Sequence, residues 1–164
     1  MKLKKNFGFT LIELLVVIAI IGFITVLALA AMSTVRAKSR DAKRLADIKQ
    51  IQAALNLYYN DKRMYPTIMA YLGRDTARKC LTTSSVGFST LGCPNAFMAV
   101  IPKDPGVSTA NTNQYYYRPA PVQAVGQGPQ NYYLRFNLER GYDSYRRGLN
   151  YITPNGSITT LAPF

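Results

Sequence analysis

The chain has 164 residues, carries a formal charge of +12 from 20 Lys+Arg against 8 Asp+Glu, and contains no histidine. Without histidine the usual neutral-pH general base and the commonest metal ligand are missing. Two cysteines and eight scattered carboxylates do not readily assemble a zinc site or a hydrolytic triad. The composition therefore argues against an enzyme and gives no reason to expect a cofactor or metal, whereas the basic surplus suits nucleic acid, anionic lipid or another acidic polymer.

Lys2, Lys4 and Lys5 open the chain, and a long apolar run follows. From Phe9 to Met32 there is one charge, Glu13, in 24 residues, which is long enough to cross a bilayer as a helix. A plain membrane anchor is one reading. A secretory signal peptide is another, with Ala28-Leu29-Ala30 as a small-x-small cleavage site before Ala31 and a small secreted protein as the product. Neither accounts for Glu13. An acidic residue costs up to about 2.5–3.5 kcal/mol at the centre of a membrane helix and less near its end, and such residues are by default functional. The flanks conflict as well. Arg36, Lys38, Arg40, Lys43 and Arg44 lie downstream of the run, and counting basic residues alone would keep that side cytoplasmic.

No proline occurs between Phe9 and Tyr65, so a continuous helix of some 57 residues, about 85 Å, is predicted, with Gly22 the weak point of its apolar half. Beyond Met32 the helix turns amphipathic. Val35, Ala42, Leu45, Ile48, Ile51, Leu55 and Tyr58 form one apolar stripe, while Arg40, Lys43, Arg44, Asp47, Lys49 and Asn56 fall mainly off it. Pro66 disfavours helix at Tyr65 and ends the element. Residues 67–113 read as irregular, around one short helix near Asn95 to Val100.

Cys80 and Cys93 are the only cysteines. In an oxidising exterior a disulfide closing the loop between them would contribute roughly 3 kcal/mol in the chain-entropy picture; the other reading is two unrelated buried thiols. Strands follow. "QYYYR" (Gln114 to Arg118) is β-prone, and "NYYLRFNLE" (Asn131 to Glu139) alternates Tyr132, Leu134, Phe136 and Leu138 against Tyr133, Arg135, Asn137 and Glu139. "LNYIT" and "SITTL" around "PNG" (Pro154 to Gly156) read as a terminal hairpin, and the Pro- and Gly-rich stretch Pro119 to Gln130 as a loop. The apolar face of such a sheet needs cover, which the stripe of the long helix can provide. The fold class is α+β: a long N-terminal helix, transmembrane and then amphipathic, packed against a C-terminal antiparallel sheet.

The stretch "KKNFGFTLIELLVVIAIIG" (Lys4 to Gly22) resembles the N-terminus of type IV prepilins and type II secretion pseudopilins. A short basic leader, Gly8, the aromatic Phe9 and Glu13 four residues beyond carry the resemblance, as does the helix-then-Tyr-Pro ending at Tyr65 and Pro66. It implies a pilin-like fold, cleavage between Gly8 and Phe9 by a membrane prepilin peptidase, and N-methylation of Phe9. It implies that Glu13 pairs with the N-terminal ammonium of a neighbouring subunit during assembly. It also resolves the orientation, because family members place the C-terminal part outside. The implied segments are a leader (1–8), a transmembrane and polymerisation helix (9–32), its amphipathic continuation (33–66) and a globular head (67–164). The implied partners are other copies or related subunits in a filament, the peptidase, an inner-membrane assembly platform, and the membrane that holds the precursor. Its place is the inner membrane as a single-pass precursor, then an extracellular or periplasmic filament.

"IPKDP" (Ile101 to Pro105) resembles a segment that precedes the sheet in many pseudopilins, where a calcium site can lie; Asp104, Asn111 and Asn113 offer oxygens here, but one carboxylate makes a weak site. The leading function is thus a structural filament subunit, with a type II secretion pseudopilin as the alternative. A DNA-binding pilin is a further alternative. Twelve tyrosines interleaved with Arg118, Arg135, Arg140, Arg146 and Arg147 could contact nucleic acid, with Arg140, Arg146 and Arg147 of "RGYDSYRRG" as the stretch to test; the ordinary reading is that the tyrosines are core and subunit interface.

Overall fold

The computed structural model describes residues 9–73, 79–90, 93, 95–106, 114–121 and 126–163, with the backbone alone at Ala30 and Ala31. One helix, α1 (Leu11–Lys62), runs without interruption, including across Gly22. Among the described residues seven strands follow: β1 (Ala70–Leu72), β2 (Cys80–Leu81), β3 (Phe88–Ser89), β4 (Tyr115–Pro119), β5 (Tyr132–Leu138), β6 (Gly148–Ile152) and β7 (Ile158–Thr159). β1-β4-β5-β6-β7 form an antiparallel sheet, and β2 pairs with β3 in a separate ribbon. The α+β, pilin-like architecture is therefore as the sequence implies. The chain divides into two compact units, one ending at Arg36 and one beginning at Ala37.

In the first unit, α1 is apolar on every side. Large side chains from Leu11 to Leu29 stand exposed all round it, and the helix is long and apolar enough to cross a membrane by length and composition. A helix hydrophobic on all faces needs either a surrounding protein core or lipid to cover it.

In the second unit, the rest of α1 lies against the sheet. Leu45, Ile48, Ile51, Leu55 and Tyr58 join Leu72, Tyr115, Tyr117, Tyr132, Leu134, Phe136 and Ile152 in one buried cluster. The predicted inner face of β5 holds, since Tyr132, Leu134, Phe136 and Leu138 are all buried, but Tyr133, expected on the other face, is buried too. Most tyrosines are core. Tyr59, Tyr65, Tyr132, Tyr117 and Phe88 form a chain of ring contacts with centroids 4.7–5.6 Å apart. Two core hydroxyls reach backbone acceptors: Tyr117 donates to the Pro66 carbonyl and Tyr58 to that of Ser84, each at 2.8 Å.

Four expectations need correction. The stripe begins later than predicted, because Val35 is exposed and Ala42 only half-buried, while Arg44 and Asp47, placed off the stripe by sequence, are buried. The helix stops at Lys62, before Pro66 acts. Arg63 turns left-handed (φ 58) and its N–H still donates to the Tyr59 carbonyl, a one-residue αL cap. No helix forms among the described residues near 95–100, where Met98 instead exchanges backbone hydrogen bonds with Leu81. Among the described residues, 67–113 contain three short strands, β1, β2 and β3, and β1 pairs with β4 from Ala70↔Tyr117 to Leu72↔Tyr115.

Cys80 and Cys93 are joined in a disulfide. The bond closes the loop that carries β3 and the turn before it. Gly87 (φ +83) lies so close to Pro66 that a Cβ there would come within 2.5 Å of the ring, so this turn requires glycine.

Candidate assembly segment and buried charge cluster

The N-terminus of α1 is closed by its own side chains. Thr10 stands at the N-cap. Its N–H and hydroxyl donate to Glu13 Oε2 at 2.8 and 2.7 Å, and the Glu13 N–H donates back to Thr10 Oγ1 at 3.3 Å. This reciprocal arrangement is the capping box written Thr-x-x-Glu, which satisfies two otherwise unpaired helix donors. Glu13 thus has a local partner as well as the assembly role that the resemblance implies. Thr10 was missed on the sequence although its signal, a Thr three residues before Glu at the start of an apolar run, stands in plain view. Phe9 is exposed; Gly8 lies outside the described residues.

A second group of charges sits in the other unit. Arg44, only 2% exposed, donates from Nη1 to Asp41 at 2.8 Å and to Glu139 at 2.9 Å, and from Nη2 and Nε to Asp104 at 2.9 and 3.0 Å. Asp41 is fully buried and also accepts the backbone N–H groups of Glu139 and Arg140, at 2.9 and 2.8 Å. Arg40 pairs with Glu139 from the helix side. The cluster ties α1 to the end of β5 and to the Asp104 loop. Gly106 is part of this fit, since a Cβ there would come within 2.5 Å of Arg44 Nη2.

Burial by itself would lower the Arg44 pKa, but hydrogen bonds and charge from Asp104, then Glu139 and Asp41, more than offset it, so the guanidinium is held firmly charged. The Glu139 carboxyl is drawn down to about 2, chiefly by its hydrogen bond to Arg40 and then by Arg44. One turn on, burial pushes the Asp47 carboxyl up, against the Tyr115 hydroxyl that donates to it at 2.8 Å. No local pattern announces this cluster: an Arg at position 44 of an amphipathic helix reads as a solvated charge, and its three acids are scattered over about 100 residues. As for calcium, Asp104 is already engaged by Arg44 and by the Gly106 N–H, while Asn111 and Asn113 lie outside the described residues.

Arg140, Arg146 and Arg147 are exposed in the turn between β5 and β6, where Tyr142 and Tyr145 exchange backbone hydrogen bonds at 3.0 Å. The nearest tyrosines there do not all face solvent, for Tyr145 packs its ring against Phe136 at 5.6 Å.

A membrane-length apolar helix with a capped, Glu-bearing start, continuing into a sheet-packed half, is a pilin-like α+β architecture. The family described as the prokaryotic N-terminal methylation motif matches residues 3–29. Type II secretion system core protein G of Vibrio cholerae serotype O1 is 33% identical over 66 residues, 40% of this chain and 45% of that protein. The type IV major pilin protein PilA of Myxococcus xanthus is 30% identical over 69 residues, 42% of this chain and 31% of that protein. The fimbrial protein EcpC of Eikenella corrodens is 34% identical over 101 residues, 62% and 65% of the two chains. The chain thus carries the prokaryotic N-terminal methylation motif over residues 3–29 and is homologous over part of its length to a type II secretion protein G and a type IV pilin. It spans less than half the length of the first curated relatives it matches. No solved structure matches the chain.

Proposed function

We propose that the protein is a structural subunit of a type IV pilus-like filament, cut between Gly8 and Phe9 by a prepilin peptidase, N-methylated at Phe9, and polymerised through its N-terminal helix. The observation that carries this is the match to the methylation motif at the start of an all-round apolar helix. Residues 1–8 act as leader, 9–32 as the membrane and polymerisation helix, 33–66 as its amphipathic continuation and 67–164 as the head. The precursor is held in the inner membrane, and an assembly platform there moves it into an extracellular or periplasmic filament.

In this mechanism the capping box has a defined place. While the subunit is in lipid, Thr10 and the helix N-terminus stabilise the Glu13 carboxylate locally. In the filament the same carboxylate accepts the ammonium that cleavage creates at Phe9 of a neighbouring subunit. An ammonium left unpaired in an apolar bundle is strongly unfavourable, so the pairing sets the register. A pseudopilin of a type II secretion system is equally supported, since core protein G and pilins match the same segment.

The test is the mature N-terminus, by intact mass and terminal-peptide sequencing of membrane and shed fractions. A chain that starts at N-methylated Phe9 is expected. One that starts at Ala31 would make it an ordinary secreted protein, and an uncut Met1 would leave only an anchor.

A further inference from the structure

The turn between β5 and β6 is fixed to the helix close to the point where the chain enters the second unit. Asp41 accepts the backbone N–H groups of Glu139 and Arg140, and Arg40 pairs with the Glu139 carboxylate. That unit begins at Ala37, four residues before Asp41. The turn is also braced from within. Tyr142 and Tyr145 exchange backbone hydrogen bonds, and the Tyr145 ring packs against Phe136. Asn150, fully buried, donates from Nδ2 to the carbonyls of Arg146 and Gly148 at 2.7 and 2.9 Å. A buried amide thus holds the backbone on either side of Arg147, while the side chains of Arg146 and Arg147 stand exposed. Tyr142, in the same turn, is 47% exposed, and Lys38, one helical turn before Asp41, is exposed as well. Asp143 is the one carboxylate between Gly141 and Arg147.

We propose that this turn docks on anionic phospholipid headgroups of the bilayer that holds the apolar helix. Arg146, Arg147 and Lys38 take the phosphates, and the Tyr142 ring enters the interface with its hydroxyl toward water. The inference rests on the reading of residues 9–32 as a membrane helix, and chain length carries it. Met32, the last residue of that segment, is nine helical residues from Asp41, about 14 Å of chain. The turn is therefore leashed to the membrane surface. Its docking is an intramolecular equilibrium, so a few cations suffice where a free protein would need more. Of the cations that follow the apolar run, Arg40 and Arg44 are already taken by carboxylates of the fold, whereas Lys38 stays exposed. Other occupants fit less well. A nucleic-acid strand would meet a single largely exposed ring and has no leash. A second copy in a two-fold contact would bring Arg146 and Arg147 against themselves.

The test exploits a chain without tryptophan, in which Tyr142→Trp is a unique reporter at an exposed site. The full chain is reconstituted into phosphatidylcholine vesicles with and without phosphatidylglycerol, with brominated acyl chains as the contact quencher. With phosphatidylglycerol the indole emission should shift to the blue and be quenched, and both effects should vanish at high salt. In phosphatidylcholine alone the spectrum should be that of an exposed indole. Adding Arg146→Gln/Arg147→Gln should lower the docked-to-free ratio roughly thirtyfold, two cations at about 1 kcal/mol each. Lys49→Gln/Arg63→Gln removes the same charge elsewhere and should leave the ratio within about twofold. A chain that does not float with the vesicles would defeat the membrane helix, and the docking with it. A chain that floats with both kinds of vesicle and gives the same spectrum in each would overturn the docking alone, as would equal losses from the two pairs of substitutions. An oligothymidylate that shifts the indole as far in phosphatidylcholine vesicles would assign the turn to polyanions in general and overturn the lipid as its partner.

Discussion

Two acidic residues on one helix, Glu13 and Asp41, show how differently the two units treat charge. Glu13 stands among exposed apolar side chains and is held by one neighbour, Thr10, within its own turn. Asp41 is fully buried and held by Arg44 and two backbone N–H groups from the end of β5. The first is satisfied within its own turn, and its Oε1 accepts no hydrogen bond from the described residues. The second is held by Arg44 from its own turn and by two backbone N–H groups about 100 residues further along the chain. The charge proposed for assembly and the charge spent on the fold thus differ in whether any partner comes from a distant part of the chain, not in residue type.

The largest effect expected separates these roles. Glu13→Ala should still be cut by the peptidase yet give almost no filaments by electron microscopy, while Thr10→Ala, which removes the cap but keeps the carboxylate, should cost about 1 kcal/mol of local helix stability and still assemble. Equal loss in both variants would reduce Glu13 to a helix cap, and normal filaments from Glu13→Ala would sink the ammonium pairing altogether.

In the second unit, Arg44→Met leaves Asp41 and Asp104 buried without their cation, and should lower unfolding stability by about 3–5 kcal/mol in urea titrations. A loss below about 1 kcal/mol would mean that the cluster is solvated and the contrast with Glu13 is false. Replacing both Cys80 and Cys93 by Ser should cost somewhat less, about 2–4 kcal/mol, and a wild-type chain under strong reductant should show a comparable drop.

The smallest effect is with pH. Glu139 has its folded-state carboxyl drawn to about 2 from an ordinary 4.5, so its stabilisation is complete above about pH 4.5 and is lost as pH falls through about 2. Because about a third of the side chain is exposed, screening reduces this to roughly 1 kcal/mol. Glu139→Gln should flatten the acid limb of stability between those two values; an unchanged limb would place the acid sensitivity in other carboxylates.

Much of the molecule was legible from local patterns. The 3.6-residue period marked α1, the two-residue period marked β5, and Pro-Asn-Gly marked the last hairpin, because each depends on residues close in sequence. The Gly8, Phe9, Glu13 pattern was equally readable, being a short linear motif, although Thr10 was overlooked within it. What local pattern cannot hold is partnership across distance. β1, β2 and β3 have only two or three residues each, too short to show a period; β1 exists because the distant β4 satisfies its backbone, and β2 and β3 because they pair with each other. The helix ends at Arg63 rather than before Pro66 because the chain turns there to bring the Tyr65 N–H to the Pro129 carbonyl at 2.8 Å. Arg44 looked solvated and is buried, since only the folded chain brings Asp104 and Glu139 to it. By itself the sequence determined the elements and the motif, through propensity and periodicity. Tertiary structure alone decided which charges are buried, because a guanidinium can leave water only where several carboxylates already converge to replace it.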